Sequence, residues 1–164
     1  MRESQARRRQ SGAAAIEFAF VFPLLFALMY ATIVYGYVFF AQQTINLVAQ
    51  ECAKAAVAAA PYDSSGKPIP PDYATAATTY FNLAKKQGPL TLFPAGVTVD
   101  LVDKGLTLVP GTGNGQIYTL EITLTGLTGK TGAFPTISLG GIMGIHDVPP
   151  MPQTLTASAS VRVS

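Results

Sequence analysis

The sequence predicts an α+β protein in which one long N-terminal transmembrane helix extends into a small domain. In that domain a second helix is expected to pack on an antiparallel β-sheet of three to four strands. Three observations support this prediction. Residues 13–41 contain one side chain that is ionised at neutral pH, Glu17. Apolar residues recur every three or four positions from 42 to 60 and from 72 to 87, as in amphipathic helices. After residue 97 they recur every second position, as in half-buried strands.

Residues 1–12 form a basic leader peptide. The leader carries four arginines and one acidic residue, whereas the rest of the chain has seven Lys and Arg and eight Asp and Glu. Positive charge on one flank of a membrane helix favours the cytoplasmic side. We therefore expect a cytoplasmic N-terminus and an extracytoplasmic domain over residues 61–164. Because the basic charge belongs to the leader, the composition does not indicate nucleic-acid binding.

Residues 13–60 are expected to form one transmembrane and extended helix. A bilayer core needs about 20 apolar residues of helix, and this segment is much longer. Pro23 lacks a backbone donor, which predicts a kink in the membrane half. Beyond residue 41 polar side chains such as Gln42 occupy one side, and the other side is apolar, with Ile45, Val48, Ala49, Cys52, Ala56 and Ala59. The outer half of the helix, including the lone cysteine, is therefore predicted to lie in the core of the domain.

The second helix is predicted to start at Asp72 and to run to about Gln87. Aspartate is a favourable N-cap, and the Gly88 and Pro89 pair ends a helix. The preceding residues, 61–71, contain four prolines and are expected to form a loop.

Alternating residues predict strands near 97–101, 118–124 and 155–163. A fourth, shorter strand over residues 106–109 is predicted to pair with the first through a turn at residues 103–105. The Gly- and Pro-rich segment 126–153 also carries many apolar side chains. Either it folds over one end of the sheet and completes the core, or it forms an exposed patch that meets another subunit.

The chain offers little for catalysis. It has one histidine, His146, and one cysteine, too few for a common zinc site or a catalytic triad. Acidic residues such as Asp100 and Glu121 fall on separate predicted elements. We therefore expect no metal, no cofactor and no enzymatic activity.

The junction between leader and helix resembles the processing site of prepilins. Gly12 ends the leader, Ala13 begins the apolar run, and Glu17 and Phe18 stand at the fifth and sixth positions after the glycine. Prepilin peptidases are membrane aspartyl proteases that cut after such a glycine. Glutamate followed by an aromatic residue, and then an apolar run that includes Pro23, is similar to the TadE-like pseudopilins of tight-adherence (Tad) pilus systems.

This resemblance implies cleavage after Gly12 by a prepilin peptidase, and a function in the assembly or initiation of a Tad-type pilus, with roles in adhesion or secretion. It implies location in the bacterial cytoplasmic (inner) membrane, with the lipid as one partner. The other implied partners are pilins and pseudopilins and an inner-membrane assembly platform. Cleavage would leave an ammonium at Ala13, one helical turn from the Glu17 carboxylate. An unpaired carboxylate is costly in hydrocarbon, so its pairing with that ammonium, or with a neighbouring subunit's, would favour docking into an assembly.

Other interpretations remain open at this level. In an uncleaved signal anchor Glu17 would lie among the lipid headgroups, and the outer domain would bind a secretion component or a ligand. A membrane-tethered enzyme would need one indispensable residue among Asp100, Glu121 and His146. The aromatic side chains of the helix suit lipid contact, and Ala27, Ala31 and Gly36 equally suit close packing of helices in a fibre.

Overall fold

A computed structural model describes residues 3–58, 65, 72–108, 116–128, 132–133, 137–138, 147–148 and 151–163. Within these ranges, the side chains of residues 3–11, 137–138 and 147–148 are not described. By its internal contacts the chain divides into two compact units, Met1–Tyr37 and Val38–Ser164. The α+β class is confirmed: a long apolar helix, a second helix and a three-stranded antiparallel sheet make up the described fold.

Helix α1 (Glu3–Val57) begins earlier than predicted, inside the leader. Gly12 does not interrupt it, because a glycine in a helix costs only about 1 kcal/mol relative to alanine. The last helical residue is Val57, and the Ala58 N–H still donates to the Lys54 carbonyl at 2.9 Å. Residues 59 and 60, the predicted end of the helix, lie outside the described residues. Pro23 is inside α1, and a kink there stays a prediction.

In the first unit, every side chain from Gly12 to Met29 is exposed. A helix that is apolar on all sides and exposed on all sides is typical of a membrane span. Among the described residues, the segment Gly12–Val57 of α1 is long and apolar enough to cross a bilayer.

Helix α2 (Tyr73–Gln87) has the predicted ends. The carboxylate of Asp72 accepts two hydrogen bonds from Thr75, one from the backbone N–H at 3.0 Å and one from the hydroxyl at 2.6 Å. At the other end the Gly88 N–H donates to the Ala84 carbonyl at 3.1 Å. A short 3-10 helix, Pro89–Leu92, follows directly and was not foreseen from the sequence.

The sheet consists of β1 (Thr98–Leu108), β2 (Gln116–Thr125) and a C-terminal strand (Thr154–Val163), with β2 in the middle. Both outer strands are antiparallel to β2. Two short strands, β3 (Ile137–Ser138) and β4 (Asp147–Val148), pair with each other and form a second sheet. The C-terminal strand is therefore numbered β5.

The predicted turn at residues 103–105 is wrong. Strand β1 continues through it, and Asp103 and Gly105 lie opposite Leu120 and Thr119, so that Lys104 is the extra residue of a β-bulge. Gly105 has a φ of 75°, which glycine adopts without strain, and its N–H donates to the Asp103 carboxylate at 2.9 Å. A hairpin turn and a bulge use the same residue types, so the sequence does not distinguish them. The predicted fourth strand is therefore the end of β1.

The core lies between the outer half of α1 and one face of the sheet. The buried residues of α1 in this unit are Ala41, Thr44, Ile45, Val48, Ala49, Cys52, Ala53 and Ala56. Those of the sheet are Val99, Tyr118, Leu120, Ile122, Leu124, Ala157, Ala159 and Val163. The predictions that the outer half of α1 is core and that the thiol of Cys52 is buried are confirmed for the described residues.

The segment that follows β2 is described only in part. Gly126 has a φ of 86°, and a Cβ there would collide with the carbonyl of Gly96, so this position requires glycine. Leu127 is fully buried. Most of 126–153 lies outside the described residues, as does most of the predicted loop 61–71, so the two interpretations of the long apolar segment are not decided.

Candidate assembly and processing site

The residues of the predicted processing site all lie on the exposed surface of α1. Gly12, Ala13, Glu17 and Phe18 are exposed, and a Cβ added at Gly12 would meet no atom within 4 Å. The open surroundings leave room for another protein to approach this bond. The backbone at Gly12 is helical, however, and a protease binds an extended strand, so cleavage would require local unwinding. Glycine favours unwinding because it has the weakest helix propensity after proline.

Ala13 and Glu17 occupy the same face of α1 because they are four residues apart. The Cβ atoms of such a pair are about 6 Å apart. A carboxylate at Glu17 is therefore within reach of a new amino group at Ala13. Because the Glu17 side chain is exposed, it is also accessible to a neighbouring molecule.

Phe18 is the first of three stacked aromatic side chains. Its ring centroid lies 5.3 Å from that of Phe22, and the Phe22 centroid lies 6.3 Å from that of Phe26. Four-residue spacing places the three rings in a row along one side of the helix. The sequence showed the aromatic residues, but this row becomes evident only in the structure.

Pro23 lies between the second and third rings of this row. As a proline it donates no hydrogen bond, so the carbonyl one turn earlier, at Ala19, loses its helical partner. Further along, the Thr32 hydroxyl donates to the Leu28 carbonyl at 2.8 Å, an i−4 bond that satisfies the hydroxyl inside an apolar segment.

The acidic residues considered for an enzyme are not brought into a catalytic arrangement. Asp100 is exposed on β1, and Glu121 on β2 forms an ion pair with Lys104 at 3.1 Å on the outer face of the sheet. His146 lies outside the described residues. Within the described part of the chain, no three His, Cys, Asp or Glu side chains are grouped closely enough to hold a metal ion.

A cleft of about 360 Å³ lies between the end of α2, the 3-10 helix and the start of β1. Its walls combine polar and apolar groups in similar amounts, and its charged lining residue is Lys85. Among the described residues that line it there is no acid, histidine or cysteine that could serve as a general base or nucleophile.

Tyr118 is a buried polar residue that the sequence analysis treated only as part of an apolar alternation. The side chain is 2% exposed, and its ring centroid lies 5.6 Å from that of Tyr73. Its hydroxyl has no hydrogen-bond partner of acceptable geometry among the described residues. Burial raises the pKa of Tyr118 well above its ordinary value, and the nearby Asp103 carboxylate raises it further.

The described structure thus combines a long helix, whose apolar run carries one acidic residue, Glu17, with an α+β domain whose core includes the outer half of that helix. Residues 12–54 match the family model described as TadE-like protein. This part of the chain is therefore TadE-like, which confirms the resemblance seen at the junction and supports a pilin-like role associated with the Tad pilus. Comparison with curated proteins found no match, and neither did comparison with solved structures.

Proposed function

We propose that this protein is a minor pilin or pseudopilin that a prepilin peptidase cleaves after Gly12, and that it takes part in the assembly or initiation of a Tad-type pilus. One observation carries the proposal. The TadE-like match begins at Gly12, where a basic leader meets an exposed apolar helix with Glu17 and Phe18 at the fifth and sixth positions. Leader, glycine, glutamate and helix together are what such a peptidase requires.

In this proposal α1 anchors the protein in the bacterial cytoplasmic membrane. The four arginines of the leader stay in the cytoplasm, and the domain over residues 61–164 lies on the opposite side of the membrane. The protein has no enzymatic activity of its own. Its partners are the peptidase, other pilins and pseudopilins, the assembly platform and lipid.

Glu17 is the docking group of the cleaved protein. In hydrocarbon, a carboxylate without a partner costs several kcal/mol, whereas a carboxylate paired with an ammonium is much less costly. A fibre of parallel helices offers the new N-terminus of a neighbour at a fixed height. Pairing with that group selects one axial register, and the Phe18, Phe22 and Phe26 row adds an apolar contact beside it.

The test is the mass of the N-terminus of the protein recovered from its native membranes, for the wild type and for Gly12→Leu. We expect a start at Ala13 in the wild type and the full precursor in Gly12→Leu. Because a Cβ at Gly12 meets no neighbour, this variant blocks the peptidase without disturbing packing. Gly36→Leu is the matched control, since Gly36 is equally open, and it should be processed normally. Processing of Gly12→Leu at the wild-type rate would rule out this cleavage.

A second function is favoured by one observation, the unbroken helix from Glu3 through Gly12. An intact helix resists proteolysis, so the same protein is a candidate for an uncleaved single-pass membrane protein whose outer domain binds a secretion component or ligand. A wild-type N-terminus at Met1 or Arg2 would select this function over the pilin.

A further inference from the structure

Among the described residues, the two outer strands of the sheet, β1 and β5, each have one edge that no other strand pairs with. Such an edge presents unpaired N–H and C=O groups, and these can act as a template for a strand from a second copy of the same chain. Proteins that stay soluble or assemble in a controlled way block these edges. In this domain, one side chain from each helix contacts a backbone carbonyl of an outer strand.

On the outer edge of β1, the side chain of Lys85 forms a hydrogen bond with a backbone carbonyl. Its ammonium, from the last turn of α2, donates to the Val99 carbonyl at 3.0 Å. The same ammonium lies 5.4 Å from the centre of the Phe81 ring, which is 5% exposed. The ring and the carbonyl together hold the lysine head across the edge of the strand.

On the edge of β5, Gln42 does the same from the other helix. Its amide nitrogen donates to the Thr156 carbonyl at 3.0 Å, a contact between residues 114 positions apart in the sequence. The amide also lies 3.4 Å from the Asn46 side-chain oxygen, one turn further along α1. A glutamine that seemed merely part of the polar side of α1 therefore reaches the far edge of the sheet.

The two contacts lie at the same end of the sheet. Across the sheet, Val99 lies opposite Leu124, which lies opposite Leu155. Thr156 is the next residue along β5 after Leu155, so the two capped carbonyls are one residue apart in register. Toward the other end, β1 is interrupted by the bulge at Lys104, and β5 carries the exposed charge of Arg162. Bulges and charges are known ways to keep edges from pairing.

We propose that Gln42 and Lys85 are edge caps: by occupying the Thr156 and Val99 carbonyls they prevent a strand of a second copy of this chain from adding to either edge. Both caps come from helices, so they exist only when α1 and α2 are docked on the sheet. The folded domain thus blocks pairing between sheets, and contacts between copies are left to other surfaces. This inference does not depend on the proposed pilin function.

The test uses the full chain in detergent and compares Lys85→Met and Gln42→Met with the wild type. Methionine matches the length of glutamine and is one atom shorter than lysine, so it keeps most of the apolar stem of each side chain and removes the donor. Lys86→Met and Gln43→Met are matched controls, because Lys86 and Gln43 are the exposed neighbours on the same helices. Sedimentation velocity measures the associated fraction, and circular dichroism measures the melting temperature.

We expect a several-fold rise in the associated fraction of Lys85→Met and Gln42→Met, a larger rise in the double variant, and no rise in the two controls. Lys85→Arg keeps a donor and should stay at the wild-type level. The proposal is overturned if neither methionine variant associates more than its control. It is also overturned if association rises only together with a lower melting temperature, or rises equally in Lys85→Arg, because the contacts would then serve packing alone.

Discussion

At the scale of single residues, Glu17 is the side chain whose chemistry and position conflict most. It is a carboxylate on an exposed, apolar helix, and one turn from the proposed new N-terminus. We predict that Glu17→Gln is cleaved normally but impairs assembly, because an amide cannot form the ion pair with an ammonium. The measurements are the ratio of mature protein to precursor in membranes and the yield of pili sheared from cells.

The control for this prediction is Glu51→Gln. Glu51 lies on the same helix beyond the apolar run and contacts Lys54 at 2.7 Å, a surface ion pair worth little. That variant should leave both measurements unchanged. Wild-type pilus yield in Glu17→Gln would show that the carboxylate is not a docking group.

For Tyr118 we predict the opposite outcome: the loss of its polar hydroxyl should not lower the stability of the domain. Its hydroxyl is buried without a hydrogen bond of acceptable geometry among the described residues, and such a group costs about 1–3 kcal/mol. Tyr118→Phe should therefore be neutral or stabilising. Tyr118→Ala removes the ring and should destabilise by about 3–5 kcal/mol. Urea denaturation followed by circular dichroism measures both, and a marked loss of stability in Tyr118→Phe would mean that the hydroxyl has a partner.

At the scale of elements, the start of α2 depends on Asp72. Hydrogen bonds from the Thr75 side chain and backbone lower the pKa of Asp72, because they stabilise its charged form. A carboxylate with a lowered pKa in the folded state stabilises the fold above its unfolded pKa, and this contribution is lost as the pH falls through the folded pKa. We predict that Asp72→Ala lowers the melting temperature at pH 7.

This difference in melting temperature between wild type and Asp72→Ala should shrink as the pH is lowered below about 4, near the ordinary pKa of aspartate. Asp100→Ala is the control, since Asp100 is exposed on β1 and caps no helix. A difference that persists unchanged at low pH would contradict the capping role. Thermal melts over a pH series provide the measurement.

The elements differ in how far the sequence could predict them. Helix α2 was predictable because both of its ends are set by local chemistry, the Asp72 cap and Gly88. The strands were predictable because one face is buried, which imposes a period of two. The bulge at residues 103–105 was not, since Asp, Lys and Gly suit a turn equally well and only the pairing with β2 decides.

The candidate site shows the same division. Gly12, Ala13, Glu17 and Phe18 could be proposed from the sequence because the processing motif depends on spacing within one short segment, and their roles stay a prediction. The edge caps at Gln42 and Lys85 could not, because each acts on a strand that only the tertiary fold brings near. No local pattern marks a glutamine whose acceptor lies 114 residues away.

At the scale of the whole molecule, the unit that folds begins inside α1. Residues 38–57 contribute eight buried side chains to the core, and the sheet has no comparable cover without them among the described residues. We predict that a chain truncated to 38–164 melts cooperatively, whereas one truncated to 62–164 does not. Differential scanning calorimetry of the two proteins decides this, and a sharp transition in the shorter one would show that α1 is dispensable to the core.

Because β5 is the last of the described strands, it is synthesised after the other core elements of the domain. During synthesis the apolar side of Val38–Val57 appears first, whereas Ala157 and Ala159, which complete the sheet beneath it, come from the last of the described strands. Contacts of such long sequence separation form slowly. β1 and β2 are made earlier and supply core residues such as Val99, Leu120 and Ile122, so the part of the core that is completed last is the one that Ala157 and Ala159 fill. A ribosome-bound chain that stops before residue 154 therefore has the helix and two strands but lacks the strand that closes this side of the core.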